Sequence, residues 1–175
     1  MTSQPERGRG QLPNGIRIYA VGDVHGRADL LHNVHTKIDD DLKFRPITRA
    51  IEVYLGDYVD RGESTREVIE QLVTRCEIRE AVFLMGNHEL MLTEFLNKPS
   101  LLSYWRQFGG LDTLMSYNLS VPLRPTHEQV EALAAAFYQA LPDHHHWFLR
   151  QLELSFRCGD YFFVHAGVRP NVPLE

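Results

Sequence analysis

The chain has 175 residues with a net charge of −5, 43% hydrophobic and 23% charged residues. That balance points away from disorder and from a membrane partner, and the acidic total argues against binding to a nucleic-acid polymer, although a local basic pocket stays possible because nearby groups set the field at a site. The length suits one domain able to bury roughly 70% of its unfolded surface.

Residues 1–14, rich in Gly, Pro, Arg and Gln, read as a disordered leader before a single domain over 15–175. Ile16–Val21 is an apolar strand that ends in Gly22-Asp23-Val24-His25-Gly26. Ala28, Leu31, Val34, His35 and Ile38 then recur at helical spacing, with Asp29 near the start. His32 and His35 on that helix read as flank residues, since no carboxylate is spaced to join them. A second apolar run, 51–55, stops at Gly56 and delivers Asp57, Asp60 and Arg61 into a tight turn. Ser64 is expected to cap a second helix with Val68, Ile69, Leu72 and Val73 as its stripe. A third run, 81–85, ends in Gly86-Asn87-His88-Glu89 and should continue directly as a helix with Leu90, Met91 and Phe95 inward.

Past Pro99 the pattern becomes helical, and 99–150 is expected to form a cap over the sheet edge, with packing as its expected role ahead of substrate selection. Residues 126–129 have the form of a capping box for a helix over 130–141. Consecutive helical residues point about 100° apart, so His144, His145 and His146 cannot all close on one ion from a regular helix. They read as a solvated helix start behind Pro142. Runs 152–156 and 161–164 suggest a hairpin whose second strand ends in His165-Ala166-Gly167. Cys76 and Cys158 have no metal-type spacing and read as free thiols in a reducing compartment. With no run of about 18 apolar residues, the expected location is cytoplasmic.

Three strands at similar intervals, each ending in glycine and a metal-competent side chain, predict consecutive βαβ units. Their parallel sheet would gather Asp23, His25, Asp57, Asn87 and His88 at one edge. Carboxylate, amide and imidazole donors together suit Mn²⁺, Fe or Zn²⁺ better than Ca²⁺. Five such groups exceed one tetrahedral site and suit two divalent ions sharing a carboxylate and a water-derived hydroxide that attacks phosphorus. Arg61 could grip the same phosphate through two hydrogen bonds.

With Gly22-Asp-Val-His-Gly26, Gly56-Asp-Tyr-Val-Asp-Arg-Gly62, Gly86-Asn-His-Glu89 and His165-Ala-Gly167, the sequence resembles the calcineurin-like metallophosphoesterases, specifically their phosphoprotein phosphatase branch. The resemblance implies a four-layer α/β/β/α sandwich around a βαβαβ core. It implies that Asp23 and His25 bind a first metal, Asp57 bridges, and Asn87 and His165 bind the second, with Mn²⁺ the expected ion and Fe or Zn²⁺ the alternatives. His88 becomes the general acid, oriented by Asp60, and Arg61 holds the phosphate. A protonated imidazole assists a poor alkoxide leaving group, and a carboxylate behind it favours its charged form. Glu89 is expected to support the helix start rather than react. The family pattern continues with a Gly-His metal motif and a second phosphate-binding arginine, so the sandwich is expected to be incomplete here.

The leading expectation is hydrolysis of phosphomonoesters, with phosphoserine and phosphothreonine proteins or small phosphoesters as substrates. A rival is dinucleoside tetraphosphate cleavage by a related bacterial branch, which often lacks the aspartate of Asp-Arg-Gly and has Asn-His-Asp where this chain has Asn87-His88-Glu89. A third expectation, of another class, is a catalytically silent binding module on the same fold.

Overall fold

A computed structural model describes residues 10–174; the first nine residues of the expected leader lie outside them. The remainder of that stretch is held against a distant hairpin, with Gln11 N–H donating to Asp160 at 2.9 Å and Asp160 N–H to the Gln11 carbonyl at 3.0 Å.

Strands β1 (Ile16–Val21), β2 (Arg49–Tyr54) and β3 (Ala81–Phe83) form a parallel sheet in the order β1-β2-β3. Its register is pinned by pairs such as Val21 with Tyr54 and Tyr54 with Phe83. Helix α1 (Ala28–Phe44) makes the first crossover and α2 (Thr65–Ile78) the second, and the two pack on each other. Two crossovers of one hand place both helices on the same sheet face. Leu31 and Ile38 of α1 and Val68, Ile69 and Leu72 of α2 are buried there, as the helical spacing predicts. Ser64 occupies the cap position of α2, but its side chain makes no cap hydrogen bond; its N–H donates to the Gly26 carbonyl at 3.0 Å instead.

Helix α3 (Asn87–Asn97) leaves β3 with Met91, Leu92 and Phe95 buried. Leu90, expected inward, is exposed. The reason is helical phase: His88 and Glu89 face the sheet edge, the inward stripe follows at 88, 92 and 95, and position 90 lies about 200° from 88. After a 3₁₀ turn come α4 (Leu102–Trp105), α5 (Gly110–Ser116), α6 (His127–Ala140) and α7 (Asp143–Arg150). The capping box forms as read: Gln129 N–H donates to Thr126 Oγ1 at 3.3 Å and Thr126 N–H to Gln129 Oε1 at 2.9 Å. Phe95, Trp105 and Phe137 join α3, α4 and α6 in an aromatic cluster with ring centroids 5.1 to 6.4 Å apart. Such pairs contribute about 0.5–1.5 kcal/mol each beyond buried area.

The hairpin is shorter than predicted and stands apart from the main sheet. Strands β4 (Phe156–Cys158) and β5 (Tyr161–Phe163) pair antiparallel as a two-stranded ribbon, and residues 152–155 run as loop. Glu153 instead borders the sheet, bridging Leu84 in parallel fashion. Cys76 and Cys158 are free, and among the described residues no helix is long and apolar enough to cross a membrane.

Glu52 in the central strand is 1% exposed, an unusual place for a carboxylate. Arg75 of α2 satisfies it, with Nη2–Oε1 at 2.6 Å and Nε–Oε2 at 2.9 Å, and the Tyr54 hydroxyl donates to Oε2 at 2.6 Å. The guanidinium reaches on to Asp39 of α1 at 2.9 and 3.0 Å, so one buried cation ties both crossover helices to the strand between them. Its neighbours hold Asp39 down at about 2, the Arg75 hydrogen bond foremost. Glu52→Gln, which leaves Arg75 with Asp39 as its remaining counter-charge, is expected to cost about 1–3 kcal/mol in urea unfolding. A loss under 1 kcal/mol would mean that the pair contributes little to the fold.

Candidate active site

The three strand ends open into loops that meet backbone to backbone. Val24 and His25 N–H both donate to the Asp57 carbonyl, at 3.0 and 2.9 Å, and Gly26 N–H donates to the Tyr58 carbonyl at 2.9 Å. A Cβ on Gly62 would collide with the His25 carbonyl, and one on Gly86 with the Asp57 carboxylate. Six non-glycine described residues have positive φ; two are asparagines, and the other four are His25 (44°), Asp57 (56°), Asp60 (71°) and Arg61 (66°). Left-handed backbone costs roughly 1–2 kcal/mol per residue, so the surroundings must over-determine these loops.

Glu89 does much of that. Its carboxylate is fully buried and accepts four backbone N–H groups: Gly86 and Asp57 at 2.9 Å on Oε2, Tyr58 at 2.7 Å and Val59 at 3.2 Å on Oε1. The first closes the N-terminus of α3, and the other three hold the turn after β2. Burial pushes its carboxyl up to about 7, against the Val59, Asp57 and Tyr58 N–H groups that hold it anionic.

The predicted residues converge. His25 Nε2 lies 3.6 Å from Asp57 Oδ2 and 3.9 Å from Asp23, and His165 Nε2 lies 3.3 Å from Asp57 Oδ1 and 3.2 Å from Asn87 Oδ1. The two oxygens of Asp57 therefore face different imidazoles. Both rings are anchored through Nδ1 to a carbonyl, His25 to Val59 at 2.9 Å and His165 to Leu55 at 2.8 Å. A carbonyl only accepts, so Nδ1 carries a proton and Nε2 is the ring atom turned inward. His165 Nε2 faces two oxygens, Asp57 Oδ1 and Asn87 Oδ1, a donor set that a cation can join. Two ligand trios with atoms within 4.8 Å of one another result, His25 with Asp57 and His88, and Asp23 with Asp57 and His165. The donor set thus fits divalent metal, and such ligation with second groups fixing the rings is how metal sites are commonly built.

His88 is 1% exposed. Its Nδ1–H donates to Asp60 Oδ2 at 2.7 Å, while Arg61 spans from Nη1 to His25 Nε2 at 2.9 Å and from Nη2 to His88 Nε2 at 3.2 Å. Burial lowers the His88 pKa, but the Asp60 hydrogen bond and charge outweigh it and the net shift is upward. Beside Arg61 opens a cavity of about 500 Å³ also lined by Arg27, Asp29 and Ser64.

Sequence reasoning missed what holds Asp60. Trp105 Nε1–H donates to Oδ2 at 2.8 Å and the Thr113 hydroxyl to Oδ1 at 2.7 Å, while Asp60 N–H donates back to Thr113 Oγ1 at 2.9 Å. Arg61 N–H donates to the Gly109 carbonyl at 3.3 Å. All three partners belong to the helical region whose expected role is packing or, failing that, substrate selection. A tryptophan and a threonine in an apolar run carry no signal of such a task.

Glu89→Gln tests the anchor. One carboxylate oxygen becomes an NH₂ that cannot accept, so two buried N–H groups lose their partner, at about 1–3 kcal/mol each. The expected loss is on the order of 2–6 kcal/mol in denaturant unfolding, together with reduced metal binding. A Gln variant as stable as wild type would show that the turn holds without it.

Comparison with known proteins follows this geometry. The calcineurin-like phosphoesterase family model matches residues 16–172. The chain is 26% identical over 153 residues to a symmetrical bis(5'-nucleosyl)-tetraphosphatase of Ralstonia nicotianae, covering 87% of this chain and 42% of that protein. An uncharacterized Caenorhabditis elegans protein is 34% identical over 82 residues, 43% of this chain and 32% of that one. Among solved structures, one provisionally assigned as a diadenosine tetraphosphatase superposes with a TM-score of 0.50 at 20% identity, over 93% of this chain and 59% of that one. A point mutant of a cold-active protein tyrosine phosphatase gives 0.51 at 20%, over 91% and 46%. The chain therefore spans less than two thirds of the length of these relatives. With a family match over nearly its whole length, from β1 to beyond His165, the chain belongs to the calcineurin-like phosphoesterases.

Proposed function

We propose that the chain hydrolyses phosphomonoesters with an alkoxide leaving group, phosphoserine and phosphothreonine being the first candidates. The buried Asp60–His88 pair at 2.7 Å carries this reading. In it, Asp23, His25 and Asp57 hold one divalent ion and Asp57, Asn87 and His165 the other, with Mn²⁺ the first ion to test and Fe or Zn²⁺ the alternatives. When bound, such ions would activate water and neutralise phosphate charge. Asp60 fixes the His88 ring through Nδ1, so Nε2 is the atom that hands a proton to the departing oxygen. Trp105 and Thr113 keep Asp60 from turning away. Arg61, bridging His25 and His88, reorients to donate two hydrogen bonds to the phosphate.

A second reading, dinucleoside tetraphosphate hydrolysis, is supported by the tetraphosphatase relative and by the cleft where Arg27 adjoins Arg61. A phosphoanhydride leaving group needs less help from an acid, so the Asp60–His88 pair favours the first reading. Activity on a phosphoserine peptide against diadenosine tetraphosphate, with added Mn²⁺, decides between them. Activity on neither, nor on p-nitrophenyl phosphate, would favour a binding role.

Two substitutions test the roles. Asp57→Asn is expected to lower metal content and turnover more than loss of any one non-bridging ligand, because both ions lose a shared charge; unchanged metal content and turnover would sink the two-ion reading. His88→Asn is expected to slow alkyl phosphate hydrolysis by about 10²–10⁴-fold, and p-nitrophenyl phosphate hydrolysis much less, since nitrophenolate leaves unaided. Equal losses on both would assign His88 to structure or metal binding.

A further inference from the structure

The histidine run behind Pro142 does not behave as the sequence predicts. His146 turns away, its Nε2 on the Tyr138 carbonyl at 2.9 Å. His144 and His145 instead converge on a carboxylate from another helix, Glu70 of α2. His144 Nε2 lies 2.8 Å and His145 Nε2 3.1 Å from the same oxygen, Glu70 Oε2. The exclusion by helical phase holds for three consecutive residues. It does not hold for two on the first turn of α7 when the third ligand comes from α2.

A metal requires neutral imidazoles and an ionised carboxylate, and it would displace the protons that the two Nε2 atoms donate to Glu70 Oε2. His145 is 0% exposed, and burial pushes its pKa down, which keeps the ring neutral. The His144 hydrogen bond and its neighbours hold the Glu70 carboxyl below its ordinary value, so it is ionised. His145 is also braced from behind: its Nδ1 sits 2.7 Å from the Tyr117 hydroxyl, leaving Nε2 toward Glu70. That is the arrangement by which an outer group fixes a ligating imidazole. Ligand atoms on all three residues lie within 4.8 Å of one another. Tetrahedral Zn²⁺ with bonds of about 2.0–2.2 Å needs ligand atoms roughly 3.3 Å apart. Glu70 and His144 have half-exposed side chains, 56% and 45%, and can make the small adjustment. Glu70 also lines an open groove between α1 and α2, through which an ion can arrive.

We propose that Glu70, His144 and His145 form a Zn²⁺ site that clips α7 to α2, with water as fourth ligand, separate from the residues at the strand ends. Two imidazoles, one carboxylate and a water is an established donor set for zinc, and neither hard Mg²⁺ nor Ca²⁺ favours it.

The test is Zn²⁺ titration of the metal-free full chain, read by competition with a chromophoric chelator. Asp57→Asn serves as background to weaken the strand-end site. One equivalent is expected to survive in that background and to raise the melting temperature by about 5–10 °C at 100-fold excess over Kd. Glu70→Gln or His144→Ala is expected to abolish that equivalent and that rise, and Tyr117→Phe to weaken the site about 10–100-fold. In the wild-type background the same Glu70 and His144 changes should remove one equivalent of Zn²⁺ and leave phosphoester hydrolysis intact. The melting temperature in chelator should stay put, because both side chains are half exposed. Unchanged stoichiometry and affinity in Glu70→Gln and His144→Ala would overturn the proposal. So would a lowered melting temperature in chelator with Zn²⁺ binding intact, which would make the cluster a hydrogen-bonded latch and nothing more.

Discussion

Everything at the sheet edge depends on one buried carboxylate taking four backbone N–H groups. Glu89 sits at the start of α3 and reaches into the turn after β2. A turn that holds Asp57, Asp60 and Arg61 at positive φ has no hydrogen-bonded ladder of its own to resist relaxation. Glu89 supplies the missing partners and joins the turn to the helix that carries Asn87 and His88. Two loops that could drift independently thereby share one rigid anchor.

The same turn sets the chemistry of the candidate ligands. The carbonyls of Leu55, just before it, and Val59, within it, fix the Nδ1 atoms of His165 and His25. Each ring thereby turns its Nε2 toward Asp57. An imidazole without such an anchor would exchange tautomers and rotate, and its affinity for a metal would fall. The backbone conformation of residues 55–59 thus governs where the donor atoms lie.

A second layer comes from the helical region after α3. Trp105 belongs at once to the aromatic cluster with Phe95 and Phe137 and to the hydrogen-bond shell of Asp60. Thr113 repeats the arrangement from α5, giving and taking one hydrogen bond with Asp60. The packing of that region therefore positions the carboxylate behind His88, and the cap is part of the proposed acid's support rather than a lid alone.

The amino-acid sequence by itself determined the parallel βαβαβ order, because apolar runs ended by glycine and separated by helical stripes admit few other topologies. It also determined that Asp23, His25, Asp57, Asn87 and His88 share one edge, since parallel strands end together. His165 joined them in the reading through a resemblance of motifs, not through strand pairing, and its strand indeed lies in a separate ribbon. Only the tertiary structure decided which side chains reach across. The bonds from Trp105 and Thr113 to Asp60, from Arg75 to Glu52 and Asp39, and from Glu89 to the turn all join residues distant in the chain, and spacing along a strand or helix carries no record of them. The histidine run shows the same limit: phase along α7 predicts where each ring points from its own helix, while the convergence of His144 and His145 on Glu70 depends on α2 packing against α7, which no local periodicity encodes.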